Sequence, residues 1–471
     1  MKISFFPPNF FDSIVTIEYI LFSSKGGSEM LKKFINYAVP SVFAMFVSSL
    51  YVIIDGIFVG QGVGNLALAA VNLVVPVSIF FFGMATMFAV GGGTLISESF
   101  GKKDIAKGVH IFREAFIVLL ILSFFMSFIF VVFSKKIVIL LGANGNVLEE
   151  ANTYLKYYVM FCIPNILGIS LSSFIRNDGN PKLAMIATVS GAFLNIALDY
   201  VFIFIFKWGI KGAAIATGLG QILTVLIILL HFLFKKGYLS FGKTKLHKEN
   251  ILRFITLGFP SFFMEITFSI MVFCMNIAIS KVGNESQLAS FGIINYLTTI
   301  VYMLLLGLSF GVQPLFSFNH GAKNYENVFK FYKFTIVSSI VINFIYFAIS
   351  YFYGYDIVKL FTKDGSILNE TYIGLTLFNL SFFIVGINVI QSGYYQAINN
   401  PKNSNIISFL RSIIFFPITI FISSHFWGLT GVWLSPLFSE TLCFITWNLL
   451  FNKNLGSVLT NYFIKSTPKN Q

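Results

Sequence analysis

The sequence predicts an all-α membrane protein of twelve transmembrane helices in two six-helix lobes. Its 471 residues are 56% hydrophobic and only 11% charged, with a mean hydropathy of +0.82. Soluble domains carry about 25% charged residues. Apolar runs long enough to cross a hydrocarbon core of about 30 Å recur along the whole chain. The pattern of the first six runs returns in the last six, which predicts two lobes of similar architecture.

Twelve apolar runs define the predicted spans, which cover roughly residues 34–60, 66–92, 110–133, 152–173, 183–206, 212–234, 253–280, 288–316, 332–353, 372–396, 404–424 and 430–451. The longest polar connection is 235–250, between the sixth and seventh spans. We therefore predict an N-lobe at 30–240, with spans one to six. The C-lobe at 241–471 holds spans seven to twelve and a short cytoplasmic tail.

The two halves of the sequence match each other at an almost constant offset of about 220 residues. Pro40 matches Pro260, and the Asn-Pro-Lys of residues 180–182 matches that of residues 400–402. Five such matches in order indicate an internal duplication. Because each copy has an even number of spans, both copies insert the same way up. They form a parallel repeat about an axis along the membrane normal.

The distribution of basic residues predicts the orientation in the membrane. Of the 32 Lys and Arg residues, 24 fall on the side of the N-terminus, which predicts that both termini are cytoplasmic. The formal net charge of +13 is therefore assigned to orientation and not to nucleic-acid binding. The predominance of Lys over Arg and the abundance of Phe suggest a bacterial source, so we expect a multi-pass protein of the bacterial cytoplasmic membrane.

Residues 1–29 form an unusual N-terminal tail. They hold one apolar patch that is too short to span a bilayer, and they lack the pattern of a signal peptide. Met30 begins a sequence that resembles a natural start before the first span. The tail is either an artefact of an upstream start or an interfacial segment.

Two acids inside apolar runs of the N-lobe are the strongest functional feature. Asp55 lies in LYVIIDGIFVG and Asp199 in FLNIALDYVFIFIF. A charge at bilayer depth costs several kcal/mol, roughly 2.5–3.5 on insertion scales, and usually marks an ion or substrate pathway. Asn195 shares a helix face with Asp199, and Thr217 falls at a similar depth. Their oxygens predict a cation site, but the residues alone do not choose between Na⁺ and H⁺.

The C-lobe does not repeat this set of residues. At the same offset, Asp55 meets Met275 and Asp199 meets Thr419. Glu265 in the seventh span is instead a candidate for the substrate cavity, where it would meet a cationic substrate. The alternative is an acid tied to neighbouring Asn, Ser or Thr side chains. Gln313 and Gln391 are further cavity candidates, for which a packing role is equally plausible.

Prolines inside spans predict kinks, because each removes a helix hydrogen bond. They are Pro40, Pro76, Pro164, Pro260, Pro314, Pro417 and Pro436. Pro40 shares the first span with Asp55, which makes it the candidate hinge. For the others we expect ordinary static kinks.

No enzyme motif is present in the sequence. The five histidines are scattered without metal-ligand spacing, and there is no GxxxxGK[ST] motif for ATP. Cys162, Cys274 and Cys443 lie in apolar segments and are interpreted as buried hydrophobic residues. We expect no catalytic residues, no cofactor, and no metal other than Na⁺ at the cation site.

Taken together, these residues resemble the multidrug and toxic compound extrusion (MATE) family. The resemblance rests on Pro40-Ser41 with Asp55-Gly-x-Phe-Val-Gly, Gly101-Lys-Lys-Asp, Asn180-Pro-Lys, Asn195-x3-Asp199 and Gly212-Ala-Ala-Ile-Ala-Thr217, and it covers about residues 30–455. It implies two lobes in a V around a central cavity, alternating access, and export of bulky, often cationic compounds by Na⁺ or H⁺ antiport. By motif, Asp55, Asn195, Asp199 and Thr217 become the cation ligands and Pro40 the bend in the first span. A second branch of the family uses a Glu in the seventh span and an Asp in the tenth, and the tenth span here has no acid.

Two other functions compete with this interpretation. A related flippase for a lipid-linked saccharide would have extra spans and a basic cavity, whereas the intramembrane charges here are acidic. A membrane-embedded enzyme of the acyltransferase type would need a buried His beside an acid or nucleophile. We expect the partners to be small-molecule substrates and the lipid bilayer, with no nucleic acid, and the protein to function as a monomer.

Overall fold

The computed structural model describes residues 25–362 and 364–451 and places almost all of them in helices. The α-helices are α1 (Lys25–Gly62), α2 (Asn65–Gly101), α3 (Ile105–Val132), α4 (Ser134–Leu140), α5 (Gly145–Met160), α6 (Cys162–Asn177), α7 (Pro181–Tyr200), α8 (Ile210–Leu233), α9 (Lys248–Val282), α10 (Glu285–Gly321), α11 (Tyr325–Lys359), α12 (Gly365–Asn379), α13 (Phe382–Ala397), α14 (Pro401–Phe409) and α15 (Phe416–Thr446). Short π-helical turns follow α7, α14 and α15 at Val201–Ile205, Leu410–Phe415 and Trp447–Phe451. Most of the predicted tail 1–29, and the C-terminal tail from residue 452, lie outside the described residues.

Within the described residues, the helices account for all twelve predicted spans. Nine stretches are each long and apolar enough to cross a bilayer. Two bent pairs, α5 with α6 at 52° and α12 with α13 at 43°, supply two more. The stretch Pro401–Leu450 covers 50 residues, and at 1.5 Å per residue it would be about 75 Å long, more than twice the hydrocarbon thickness. It breaks at Gly428 (φ 54°, ψ −132°), and it therefore crosses twice.

The backbone angles of corresponding residues in the two halves confirm the predicted duplication. Gly209 in the N-lobe (φ 60°, ψ −142°) has nearly the conformation of Gly428 in the C-lobe, and both follow a tryptophan. Positive φ is easily adopted by glycine because it lacks a Cβ. Asn180 and Asn400 share φ −122°, with ψ of 65° and 68°, and each caps a helix by accepting from the N–H three residues later. Corresponding sequence positions thus form the same local structures.

Each lobe has its own apolar core, but the N-terminal parts of α1 and α9 each pack against the opposite lobe. Phe254 and Leu257 of α9 belong to the core of the N-lobe. Phe34 and Ala38 of α1 pack into a cluster of C-lobe residues from α10, α11 and α13. Phe34 and Phe254 occupy equivalent positions of the repeat. This exchange joins the two lobes at the end of the bundle where α1 begins.

Backbone contacts close the lobes together at the same end. A Cβ at Gly101, the last residue of α2, would collide with the carbonyl oxygen of Phe318 on α10. Reciprocally, a Cβ at Gly321 would collide with the carbonyl oxygen of Glu98 on α2. Only glycine permits this approach of two helix backbones.

The connection between the lobes is an extended segment that packs on the N-lobe. Residues 234–247 lie between α8 and α9 and contain the predicted boundary at 240. Oδ1 of Asp178 accepts from the backbone N–H groups of Tyr238 and Leu239 at 2.8 and 3.1 Å. Nε of Arg113 donates to the carbonyl oxygen of Ser240 at 2.9 Å. The connection is therefore held in a defined path along α3 and the end of α6.

Candidate cation site and substrate cavity

Two acidic side chains from different helices meet inside the N-lobe. Asp55 lies on α1, and Asp199 lies near the end of α7. Their carboxyl groups interact directly with each other. Oδ1 of Asp55 and both carboxylate oxygens of Asp199 are buried without a hydrogen-bond donor. Two facing carboxylates in this state repel each other unless a proton or a cation lies between them.

Aromatic packing between α1 and the end of α7 brings the acids together. Phe58, one turn after Asp55, makes an edge-on contact with Phe204 at 5.5 Å between ring centroids and also meets Tyr200 at 6.4 Å. Phe204 belongs to the π-helical turn Val201–Ile205, which follows α7 directly. Single π-turns inside helices occur frequently at functional sites. Here the turn begins two residues after Asp199.

Asn195 and Thr217 complete the predicted group. Nδ2 of Asn195 donates to Oγ1 of Thr217 at 3.3 Å, and Oδ1 of Asn195 is buried without a partner. Asn195 lies one turn before Asp199 on α7. The pairing of α7 with α8 depends on Gly191 and Gly220, where a Cβ on either residue would lie 2.6 Å from the other's carbonyl oxygen. The structure thus brings all four predicted residues into one cluster.

The cluster has the chemistry of a cation or proton site. Carboxylate, amide and hydroxyl oxygens are the ligands that hard cations prefer. Within residues 25–362 and 364–451, no Lys, Arg or His forms an ion pair with Asp55 or Asp199. The negative charge of the pair is therefore left for a mobile ion to neutralise.

Tyrosines surround the acid pair, and sequence reasoning missed them. Tyr51 on α1 and Tyr154 on α5 both lie within electrostatic range of Asp55 and Asp199. Tyr296 on α10 of the C-lobe is within electrostatic range of Asp55. The chain has 20 tyrosines, and nothing in their spacing distinguishes these three.

The equivalent positions of the C-lobe are occupied by side chains without charge. Met275 is fully buried and accepts a weak hydrogen bond from Oγ of Ser435 at 3.8 Å. Oγ1 of Thr419 donates to the carbonyl oxygen of Phe416 at 3.1 Å, within its own helix. These contacts are structural, and the acid pair has no counterpart at these positions.

Glu265 is a buried acid between the two lobes. It lies on α9 with 6% of its surface exposed, and a Cβ built on Gly83 of α2 would be 3.6 Å from its Cβ. Among the described residues it has no hydrogen-bond or ion-pair partner, so the alternative of an acid tied to Asn, Ser or Thr finds no support. The backbones of α2 and α9 meet two turns closer to the beginning of α9, where a Cβ on Gly258 would collide with the carbonyl of Met87. Glu265 thus lies just beyond the closed contact, where a cavity between the lobes would begin.

The structure places the two glutamine candidates away from an open cavity surface. Nε2 of Gln313 donates to Oγ1 of Thr94 at 3.1 Å, and Oε1 accepts from Nδ2 of Asn177 at 3.4 Å. In this conformation Gln313 is therefore a buried link between the lobes, as the packing alternative predicts. Gln391 is 4% exposed inside the C-lobe beside Tyr332, and its Oε1 has no partner.

Pro40 lies where α1 packs against α10. The carbonyl oxygen of Tyr37 and the side chain of Ser41 face Gly311 so closely that a Cβ there would lie within 2.9 Å of both. Pro40 lacks the N–H that would bond one turn back in α1. A bend at this position would alter the contact between lobes, so Pro40 stays the predicted hinge.

Two basic residues counted among the 24 on the side of the N-terminus are buried in helices. Arg176 is 8% exposed near the end of α6, where it donates to Oγ of Ser172 at 3.2 Å. Arg411, also 8% exposed, pairs with Glu440 at 2.7 Å. Both are interior residues, so they do not contribute to the loop charge that sets the orientation in the membrane.

The prediction that the histidines are scattered was wrong for two of them. Nε2 of His110 and Nδ1 of His247 lie 3.1 Å apart, and both approach the carboxylate of Glu114. His110 and Glu114 are four residues apart on α3, a spacing that the sequence analysis passed over. His247 is 137 residues from His110, so only the fold unites them.

Comparison with known proteins agrees with this architecture. The sequence model of the MatE family matches residues 40–201 and again residues 260–421. These matches cover more than half of the chain, and the chain belongs to the MatE family. Membership defines a transporter and not an enzyme.

The chain is 28% identical over 420 residues to the multidrug export protein MepA of Staphylococcus saprophyticus, covering 88% of this chain and 92% of that protein. It is 29% identical over 421 residues to MepA of Staphylococcus aureus strain N315, with the same coverage. These relatives are similar over nearly their whole length.

Solved structures share the fold. An outward-facing multidrug resistance MATE transporter of the MOP superfamily superposes with a TM-score of 0.86 at 23% identity, covering 91% of this chain and 96% of that one. A MATE protein in the straight conformation also gives 0.86 at 23% identity, with 91% and 97% covered. A MOP superfamily transporter from Pyrococcus furiosus, described as having a binding pocket of reversed polarity, gives 0.83 at 25% identity, with 88% and 93% covered.

Proposed function

We propose that this protein exports bulky, often cationic organic compounds in exchange for Na⁺ or H⁺. The observation that carries the proposal is the encounter of Asp55 with Asp199, whose buried oxygens have no donor and no basic partner. Such a pair binds a small cation or a proton strongly. Without a bound ion, the two buried charges repel each other, which is unfavourable in free energy. The relatives named as multidrug export proteins support the efflux part of the proposal.

The arrangement suggests how ion binding drives the cycle. A proton or Na⁺ between Asp55 and Asp199 removes their repulsion and lets α1 and α7 approach, whereas an empty pair pushes them apart. α1 also carries Pro40 and packs on α10 of the C-lobe, so a movement of α1 reaches the contact between lobes. An ion shifts a conformational equilibrium only by its difference in affinity for the two states, and this acid pair supplies that difference.

The proposed orientation assigns the closed contact to the cytoplasm. Both termini are cytoplasmic in this proposal, because most basic loop residues lie on their side of the bundle. Gly101 and Gly321 then close the lobes at the cytoplasmic face, which makes this conformation outward-facing. The protein functions as a monomer in the bacterial cytoplasmic membrane, since each copy already holds its own cation cluster.

A flippase for lipid-linked saccharides finds less support. A pyrophosphate needs uncompensated basic groups, and the guanidinium of Arg411 in the C-lobe is neutralised by Glu440 at 2.7 Å. Among the described residues this leaves Arg176, at the end of α6, as a single buried arginine without an ion pair. The uncompensated acid Glu265 between the lobes favours a cationic substrate.

Transport of a fluorescent organic cation in proteoliposomes tests the proposal, with Na⁺ and pH gradients imposed separately. We expect uptake against the dye gradient with one gradient and its loss in Asp199→Asn. Asp356→Asn, a change at an exposed acid on α11, is the matched control and should transport normally. Equal dye movement without any ion gradient would contradict the antiport.

A further inference from the structure

Three potential metal ligands converge outside the transport site, at the connection between the lobes. His110 and Glu114 lie one turn apart on α3, and His247 is the residue before α9. Nε2 of His110 lies 3.3 Å from Oε1 of Glu114 and 3.1 Å from Nδ1 of His247. Nδ1 of His247 lies 2.5 Å from the same carboxylate oxygen. Three potential ligand atoms therefore lie around one small volume.

The size of this triangle fits a transition-metal ion. Zn²⁺ binds His nitrogen at about 2.0–2.1 Å and carboxylate oxygen at about 2.0–2.2 Å. A point about 2.1 Å from all three ligand atoms exists just outside their plane. A tetrahedral site places its ligand atoms about 3.4 Å apart. Two of the three separations are already within about 0.3 Å of that value, and His247 would move away from Glu114 by about 1 Å.

A second layer of contacts orients the ligands as in known metal sites. Oγ1 of Thr244 lies 2.7 Å from Nδ1 of His110, the ring nitrogen that faces away from the cluster. Nδ2 of Asn250 donates to Oε2 of Glu114 at 2.6 Å, and the backbone N–H of His247 donates to Oε1 at 3.0 Å, so both carboxylate oxygens are held in place. Metal-binding His and carboxylate side chains are typically held by such partners, which set ring orientation and ligand basicity.

The charge and exposure of the cluster also suit an ion. The side chain of Glu114 is fully buried, and within the described ranges it pairs with no Lys or Arg. The side chains of His110 and His247 are 36% and 54% exposed, so the site has a path to solvent. A dication there would neutralise the buried carboxylate and keep a fourth position for water.

We propose that His110, Glu114 and His247 bind one Zn²⁺ ion, which fastens the interlobe connection to α3. Two imidazoles with one carboxylate form a ligand set that suits zinc among the first-row metals. The bound ion would join α3 of the N-lobe to the residue that precedes the first helix of the C-lobe. Occupancy therefore stiffens the joint between lobes that must move relative to each other during transport.

Zinc binding to the full-length protein tests this directly. The protein is purified in detergent with a tag that contains no histidine, stripped with EDTA, and titrated with Zn²⁺ by calorimetry and elemental analysis. We expect one Zn²⁺ per chain. His110→Ala and His247→Ala should each weaken binding at least tenfold, and Asn250→Ala about tenfold through loss of ligand orientation. His425→Ala, which removes an exposed histidine elsewhere, should bind as the unchanged protein does.

A second measurement reports where the ion acts. Lys243 and Lys245 are exposed on the connection, and trypsin cleavage there should slow several-fold when Zn²⁺ is added to the unchanged protein. The same addition should not protect His110→Ala. Absence of stoichiometric Zn²⁺, or equal binding by the His110→Ala and His247→Ala variants, would overturn the proposal. Both variants alter partly exposed side chains, so folding can be checked by size-exclusion chromatography.

Discussion

Gln313 of α10 donates a hydrogen bond of 3.1 Å to Oγ1 of Thr94 on α2, and this bond crosses from the C-lobe to the N-lobe. The same amide accepts from Asn177 of α6 at 3.4 Å. All three side chains are buried. A buried polar link of this kind between the lobes favours one relative position of the two.

Replacing this amide should loosen the closed contact. Gln313→Ala removes about 1 kcal/mol of hydrogen bonding between the lobes, which corresponds to about a fivefold shift toward open conformations. A cysteine introduced at Ser41, which faces Gly311 across the contact, should then react about fivefold faster with a thiol reagent. Gln391→Ala removes a buried amide within the C-lobe and should leave that rate unchanged.

The acid pair should control coupling in a graded way. Asp55→Asn removes a charge and should nearly abolish ion-driven export while the protein stays folded, because it also removes a buried repulsion. Asn195→Ala and Thr217→Ala each remove a neutral ligand and should weaken coupling less. Transport rate measured against Na⁺ concentration and pH separates these effects. A normal ion dependence in Asp55→Asn would show that the site lies elsewhere.

The proline on α1 should affect turnover more than binding. With Pro40→Ala, α1 gains one hydrogen bond and loses its easiest point of bending, so one of two conformations becomes less accessible. We expect a fall in maximal transport rate with little change in substrate affinity. Pro260→Ala, at the equivalent position of the lobe without the acid pair, is the matched control. Equal effects of both changes would reduce Pro40 to a static kink.

Glu265 should act on substrates according to their charge. Glu265→Gln keeps the shape of the side chain and removes its attraction for a cation in a poorly hydrated environment. The apparent KM should rise for cationic compounds, stay constant for neutral ones, and leave the ion dependence unchanged. Transport curves for one substrate of each kind provide the test. Loss of ion dependence for both substrates would move the coupling site into the C-lobe.

Hydropathy and repetition were enough to predict the fold. Span length follows from membrane thickness, and the helices match the twelve predicted runs closely. The bend between α5 and α6 falls at Phe161, three residues before Pro164, as a proline kink should. The bend between α12 and α13 has no proline at its break, but it lies at the equivalent place of the repeat. The offset of the repeat therefore predicts this bend from the one between α5 and α6.

The cation cluster was predictable because a charge in an apolar run is conspicuous, whereas contacts made by ordinary polar residues were not. Gln313 and Thr94 are 219 residues apart, and nothing local distinguishes a glutamine that joins two lobes from one that lines a cavity. The burial of Arg411 could not be predicted for a related reason. Its partner Glu440 lies 29 residues later on α15, and only their ion pair explains a guanidinium inside a span.

The reciprocal contact of Gly101 and Gly321 bears on how the protein arose. Gly101 meets the carbonyl of Phe318 and Gly321 meets that of Glu98, and these residues correspond at the offset of the repeat. A surface that contacts its own copy in this manner is isologous, the kind found in twofold dimers. An ancestor of six spans would therefore have assembled by binding a second molecule in the same orientation. Once the two copies were fused, each half could vary separately, and only the first half now has the acid pair at these positions.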